Sequence, residues 1–137
     1  MKSKYYFKFE DLKIYQKAID FGEGVNTQII SFPKEETFRL ASQFIRAVDS
    51  IANNIAEGSG STDVQFNRYL QMAWNSAHEC VVCSTKARLR NFISNEQDEK
   101  NRGDIAELAK MITSFKNHLK NRMNTSKKNK FTKPLNH

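Results

Sequence analysis

Apolar side chains recur at steps of three and four residues along most of this chain, and no other feature constrains its fold as strongly. The clearest run is Ile105, Leu108, Ile112, Phe115 and Leu119. An α-helix turns once every 3.6 residues, so this spacing places all five side chains on one face. The pattern predicts an amphipathic helix that begins near residue 95.

Two similar stretches precede it in the first half of the chain. The first is expected to begin at about Asp11, whose carboxylate can cap the first turn, and to end at Ser31, before Phe32-Pro33. The second is expected to begin at Thr37 or Glu36 and to end at Gly58, a residue suited to the left-handed position after a helix. The predicted apolar stripes are Leu12, Tyr15, Ile19, Gly22, Val25 and Ile29, then Leu40, Phe44, Ala47, Val48, Ile51 and Ile55.

The longest stretch is expected to begin at Thr62 or Asp63 and to continue to about Phe92. Small residues dominate the middle of its stripe, which would let a neighbouring helix approach closely. The members of this stripe are Phe66, Leu70, Ala73, Ala77, Cys80, Ser84 and Ala87.

Four such stretches joined by short connections predict an all-α fold, an antiparallel up-down-up-down four-helix bundle. Only 5 glycines and 2 prolines occur, too few for the frequent turns of a β-sandwich or barrel. The expected organisation is an N-terminal arm over residues 1–8, the bundle over 9–122, and a basic, disordered tail over 123–137.

The positive charge of the chain is concentrated at its C-terminal end. The net charge is +7, and residues 121–137 contribute +5 of it, with five cations and no acidic side chain. A polybasic segment attracts phosphates, so the tail is a candidate nucleic-acid contact. The predicted contacts are Lys127, Lys128, Lys130 and Lys133.

A second basic cluster, Lys86, Arg88 and Arg90, ends the third stretch. Cations there complement the dipole of a helix C-terminus, which is a purely structural explanation. Contact with nucleic-acid phosphates is the functional alternative. The sequence leaves both explanations open.

Cysteines and histidines give no indication of catalysis. Cys80 and Cys83 have metal-ligand spacing, but no second ligand pair accompanies them, so they are interpreted as structural. His78, His118 and His137 lie in separate segments. We therefore predict no enzyme, no cofactor and no metal.

A polar row follows one edge of the second stretch beside its apolar stripe. Asparagine is a poor helix former, so a position such as Asn54 implies a hydrogen-bonding partner. Glu79 of the third stretch is the expected partner of Arg46. The members of the row are Gln43, Arg46, Ser50, Asn54 and Glu57.

Several large apolar residues fall outside the predicted stripes. If they cluster on the surface, they would form a subunit interface. The candidates are Phe21, Ile45 and Trp74.

Targeting signals do not stand out in this sequence. No run approaches the ~18 apolar residues of a membrane span, and the first residues lack the apolar run of a secretory signal. With only 2 cysteines, the expected location is the cytoplasm, without membrane association.

Residues 43–58, QFIRAVDSIANNIAEG, resemble the signature of the four-helix-bundle proteins encoded by intervening sequences of bacterial large-subunit ribosomal RNA genes. Phe9-x-Asp11-Leu12, Phe32-Pro33 and Ala73-x-x-Ser76-x-x-Glu79 match as well, so the resemblance covers about residues 9–120. It implies a structural role for Gln43, Arg46, Ser50, Asn54, Glu57, Gly58 and Glu79.

That family is similar to the accessory variability determinant of diversity-generating retroelements, a homopentameric barrel that binds nucleic acid and a reverse transcriptase through basic surfaces. The resemblance implies a ring, a pentamer by analogy, without catalytic activity. Two departures stand out. The family usually has paired arginines where this chain has Ile45-Arg46, and commonly has glycine where Asn75 stands.

Two functions are therefore expected as alternatives. The first is a non-enzymatic homo-oligomer that binds structured RNA or DNA through phosphate contacts. The second is a protein–protein interaction scaffold, for example an accessory subunit, with no direct role in nucleic-acid binding.

Overall fold

Four α-helices make up almost all of the structure, a computed structural model that describes residues 2–132, with side chains to residue 126. They are α1 (Lys13–Ile29), α2 (Leu40–Ser59), α3 (Asp63–Leu89) and α4 (Asn95–Thr132). Short 3-10 helices at Lys8–Asp11 and Lys34–Glu36 precede α1 and α2. No strand occurs within the described residues, and the prediction of an all-α four-helix bundle is confirmed.

Each helix packs antiparallel to the next one, and α1 closes the bundle against α4. Side-chain contacts show the directions. Gly58 near the end of α2 lies against Tyr69 near the start of α3, and Arg122 near the end of α4 pairs with Asp63 at the start of α3. The α2–α3 contact is the most extensive, so this pair forms the centre of the fold.

The predicted stripes of α2 and α3 are buried at every position, and on α4 only Phe115 is half-buried. The α1 stripe was right only in part, since Val25 is buried and Leu12, Tyr15 and Ile29 pack half-buried against the core. The buried residues are Ile14, Ala18, Phe21 and Val25, whereas Ile19 is 39% exposed. The apolar arc of α1 is wide enough to contain two stripes with helical spacing, and contact with α2 and α4 selects one of them.

The helix ends predicted from the sequence are confirmed in part. Thr62 caps α3 by accepting a hydrogen bond from the Gln65 amide at 3.2 Å, as expected. Asp11 does not cap α1, whose N-cap is Leu12; its carboxylate accepts the Tyr6 hydroxyl instead. At the end of α3, Asn91 takes the left-handed conformation with φ 62°. The Phe92 amide then bonds the Ala87 carbonyl and closes the helix.

Gly58 does not take the predicted left-handed position. It lies inside α2, and no glycine of the described residues has a positive φ. A Cβ atom at this position would lie 2.6 Å from the Tyr69 Cβ and 2.8 Å from a Phe66 ring carbon. The glycine is therefore required by the close approach of α2 to α3.

The segment predicted to be a disordered tail from residue 123 onward is helical as far as Thr132. The apolar rhythm fades after Leu119, yet α4 continues to Thr132, and half-buried Met123 still packs against the core. The first residue that cannot continue a helix is Pro134, so an established helix can propagate this far. Lys127, Lys128 and Lys130 fall on these last turns, and Lys133 lies outside the described residues.

Candidate nucleic-acid interface

A depression of about 260 Å³ lies where α2 begins and α3 ends. Antiparallel packing brings the first turns of α2 beside the last turns of α3, so cations far apart in sequence share one surface. The lining contains four cations and no acidic residue: Arg39, Leu40, Gln43, Arg46, Lys86 and Arg90. We call this surface the basic depression.

Most of the charge in the basic depression is left without an ionic partner. Arg90 lies 3.8 Å from the buried Glu36 carboxylate. Within the described residues, Arg39, Arg46 and Lys86 form no ion pair within 4 Å. The start of α2 adds the positive end of its helix dipole.

Glu36 links this surface to the fold. Its Oε2 accepts the Leu40 amide at 3.1 Å, which satisfies a free N–H of the first turn of α2. The predicted start of this helix at Glu36 or Thr37 was too early, because α2 begins at Leu40 with Arg39 as its N-cap. The same carboxylate holds Arg90 beside the helix start.

The structure separates Arg88 from the two cations predicted beside it. Its Nε donates to Asp98 Oδ2 at 3.0 Å, in a network that also contains Arg102. Arg88 therefore ties α3 to α4. Lys86 and Arg90 are the members of the predicted cluster that line the basic depression.

Sequence reasoning missed Arg39. It precedes Arg46 by seven residues, which is two helical turns, so a basic edge at the start of α2 was detectable. That this edge faces Lys86 and Arg90 depends on the register of α2 against α3.

The polar row of α2 has the partners that its asparagine implied. Asn54 Nδ2 donates to the Ser50 carbonyl at 2.7 Å and to the Ser50 hydroxyl at 2.9 Å. Ser76 of α3 donates to the same hydroxyl at 2.8 Å. The row thus fixes α2 against α3, and Glu57 at its end is exposed.

The expected Arg46–Glu79 ion pair does not form. The two side chains line a shared depression, but the Arg46 Nε donates to the Ser42 carbonyl at 3.3 Å. Glu79 is exposed and has no cation within 4 Å among the described residues. The Arg46 guanidinium is therefore available to bind an anion in the basic depression.

The three apolar interface candidates lie in different environments. The prediction that Phe21 lies at a subunit interface was wrong, because this side chain is 4% exposed and belongs to the core. Ile45 lines a groove of about 270 Å³ between α1 and α2, together with Ile19, Glu23 and Asp49. Trp74 is half-buried and lines a groove between α3 and α4.

Both cysteines lie in the core. Burial raises the pKa of the Cys83 thiol to about 11 and raises that of Cys80 further. Thiols of this kind stay protonated and unreactive at neutral pH. Within residues 2–132, no three His, Cys, Asp or Glu side chains are placed to hold a metal ion.

A family model of the 23S rRNA-intervening sequence proteins matches residues 10–114, which is more than half of the chain. The chain belongs to this family. The match covers α1 to α3 and most of α4, and it confirms the resemblance inferred from residues 43–58.

Among solved structures, a member of the S23 ribosomal protein family from Bacteroides thetaiotaomicron, described as a protein of unknown function, is similar to this 23S rRNA-intervening sequence protein. The two share 24% sequence identity and a TM-score of 0.67. The match covers 74% of this chain and 96% of the other, and it supports the fold. No curated protein matches the sequence.

Among the described residues, no helix combines the length and the apolar character needed to cross a bilayer.

Proposed function

We propose that this family member is a non-enzymatic homo-oligomer, a pentamer by analogy, that binds structured RNA or DNA through phosphate contacts in the cytoplasm. The basic depression carries the proposal, because it gathers four cations without an acidic side chain in its lining. A phosphate group would neutralise charges that the fold leaves without partners.

The side chains that line the basic depression favour phosphate over other anions. Three of its four cations are arginines, whose planar guanidinium matches two phosphate oxygens at once. No aromatic ring on which a base could stack lines the depression, so binding there is expected to depend mainly on phosphate contacts and therefore on salt.

The C-terminal segment supplies a second cationic region, which begins at the opposite end of α3 from the basic depression because Arg122 pairs with Asp63. Residues 121–137 carry a charge of +5, and an oligomer multiplies both the segment and the basic depression. Two weak contacts on one ligand raise the overall affinity because the second becomes intramolecular. A long, folded nucleic acid is therefore the ligand that such an assembly would hold best.

Fluorescence anisotropy of a labelled RNA hairpin, measured over a range of salt concentrations, tests the proposal. Arg39→Gln/Arg46→Gln removes two free arginines from the basic depression. If both contact phosphates, the slope of log K against log salt falls by about 1.8 in magnitude. Deletion of residues 127–137 keeps Met123 in the core and removes the tail lysines, and it is expected to weaken binding further.

Lys13→Gln/Arg68→Gln is the matched control, since both side chains are exposed, lie away from the basic depression and form no ion pair within the described residues. It removes the same charge. The proposal fails if the wild-type protein does not bind at low salt. A control that loses as much affinity as Arg39→Gln/Arg46→Gln would show attraction by net charge without a site.

The groove between α1 and α2 favours the second candidate, a scaffold that binds protein. Ile19 and Ile45 present apolar surface there beside the acidic Glu23 and Asp49, which suits a helix with apolar and basic residues. Capture of one defined protein from nuclease-treated lysate, lost in Ile45→Glu, would support the scaffold. Retention of that protein by Ile45→Glu would exclude this groove as its site.

A further inference from the structure

A groove of about 240 Å³ separates α3 from α4 on a face remote from the basic depression. Trp74 in this groove precedes Lys86 by 12 residues, which is about 18 Å along α3. The groove is lined by Gln71, Trp74, Thr113, Lys116, Asn117 and Lys120. We call it the tryptophan groove.

Charge in the tryptophan groove is unbalanced. Lys116 and Lys120 are one helical turn apart, and like charges at this spacing repel each other. Neither lies within 4 Å of a carboxylate among the described residues, and the lining contains no acidic side chain. Asp63, at the start of α3, accepts hydrogen bonds from Nε and Nη2 of Arg122, each at 2.7 Å.

Burial makes this imbalance more costly. Lys116 is half-buried, and its Nζ donates to the Gln71 side-chain carbonyl, a neutral acceptor. Desolvation and the nearby Lys120 charge lower the pKa of Lys116. An anion in the groove would relieve both effects.

Trp74 lines the α3 side of the groove, and His78, one turn further along α3 and outside the lining, packs against its ring. The Trp74 and His78 rings lie 3.8 Å apart between centroids, inclined by 33°. His78 is exposed, and its Nδ1 lies 2.9 Å from the Trp74 carbonyl, which fixes the ring. Ordered aromatic rings beside cations are the surface on which unpaired bases stack.

We propose that the tryptophan groove binds an unpaired stretch of nucleic acid, with a base on the Trp74–His78 pair and its phosphates on Lys116 and Lys120. The side-chain amides of Gln71 and Asn117 lie in the same lining and can bond a base edge. In a duplex the neighbouring base pairs cover both faces of each base, so a stacking site of this kind selects unpaired nucleotides. The inference rests on the proposed function and assigns a second, distinct surface to it.

The chain contains a single tryptophan, so its intrinsic fluorescence reports on this groove alone. The wild-type protein is titrated with unlabelled single strands of about 12 nucleotides, as RNA and as DNA, and with the matching duplex. Anisotropy of a labelled copy measures total binding in parallel. Both single strands are expected to quench the fluorescence, and the duplex is expected to bind without quenching it.

Two variants separate the phosphate and base contacts. Lys116→Gln/Lys120→Gln lowers the slope of log K against log salt for the single strand by about 1.4 in magnitude. Trp74→Ala weakens single-strand binding about 5- to 150-fold, and Trp74→Phe restores part of it because a ring remains. Lys13→Gln/Arg68→Gln removes equal charge elsewhere and is expected to keep the full quenching.

The possible outcomes are distinct. Binding detected by anisotropy with unchanged tryptophan fluorescence would overturn the proposed binding in the tryptophan groove. It would leave the proposed binding in the basic depression unaffected. Equal quenching by duplex at equal occupancy would overturn the selection of unpaired bases. Absence of all binding at low salt would overturn the proposed function itself. Quenching by RNA alone or DNA alone supports the groove and identifies the sugar that it accepts.

Discussion

At the scale of single residues, the α2–α3 contact depends on Gly58. Alanine is a better helix former than glycine by up to ~1 kcal/mol, so a glycine inside a helix needs a packing reason. Here the reason is Tyr69, whose Cβ is attached to the backbone of α3 and cannot rotate away. Any side chain at position 58 would push the two helices apart.

Gly58→Ala is therefore expected to destabilise the fold. Overpacking costs about 1–3 kcal/mol, which exceeds the gain in helix propensity. The free energy of unfolding from urea denaturation should fall by about 1–2 kcal/mol. Gly103→Ala is the control, since nothing lies within 4 Å of its added Cβ in α4, and a gain of about 0.5–1 kcal/mol is expected. Equal stability of Gly58→Ala and the wild-type protein would contradict the close approach.

At the scale of helices, α3 and α4 are joined by a buried polar network. Asp98 is 4% exposed, and its carboxylate accepts Ser84 Oγ at 2.7 Å, Arg102 Nε at 2.9 Å and Arg88 Nε at 3.0 Å. Asn101 donates to Ser84 at 3.0 Å and exchanges hydrogen bonds with Gln28 of α1. The network satisfies every polar side chain in it and fixes the register of three helices.

The network predicts a loss of stability in acid. Burial favours the neutral form of Asp98, but the hydrogen bonds from Ser84, Arg102 and Arg88 outweigh it and lower its pKa. The stabilisation is complete above the unfolded-state pKa of about 3.9 and disappears as the pH falls through the lower folded-state value.

Asp98→Asn should accordingly lose about 1–3 kcal/mol of unfolding free energy at neutral pH and show a flatter pH dependence below about pH 5. Thermal denaturation followed by circular dichroism from pH 3 to 7 measures both. Asp20→Asn changes the same charge at an exposed position of α1. If Asp98→Asn and Asp20→Asn gave the same acid profile, the network would not be the cause.

At the scale of the whole molecule, the charges are segregated. The basic depression lies at one end of α2 and α3, the tryptophan groove lies between α3 and α4, and the groove between α1 and α2 contains Glu23 and Asp49. A molecule with acidic and basic surfaces on different faces can associate head to tail, and a rotation that closes such contacts produces a ring.

Light scattering coupled to size-exclusion chromatography tests this assembly. Five copies of the 15.9 kDa chain have a mass of about 80 kDa. Glu23→Lys/Asp49→Lys reverses the acidic charge of the groove between α1 and α2 and is expected to reduce the mass. Val82→Glu, at a 49% exposed position of α3, is the control and should leave it unchanged. A wild-type mass near that of one chain would contradict the oligomer.

The candidate sites show how far sequence reasoning reaches. Lys86 and Arg90 were singled out from the sequence as one basic cluster and Arg46 as a member of the polar row, whereas Arg39 was not noticed. Their common surface exists because α2 and α3 are antiparallel in one particular register. In the same way, Trp74 was assigned to a subunit interface because the sequence gives no indication that Lys116 and Lys120 lie across a groove from it.

The sequence by itself determined the number of helices, the approximate ends of α1, α2 and α3, the buried stripes of α2, α3 and α4, and the concentration of charge after residue 120. These follow from the 3.6-residue turn and from composition, which are properties of one segment at a time. The tertiary structure decided that Phe21 and not Ile19 is buried, that Gly58 serves a close approach, and which cations share a surface. Such choices depend on the rotation and register of one helix against another, which only the packed bundle specifies.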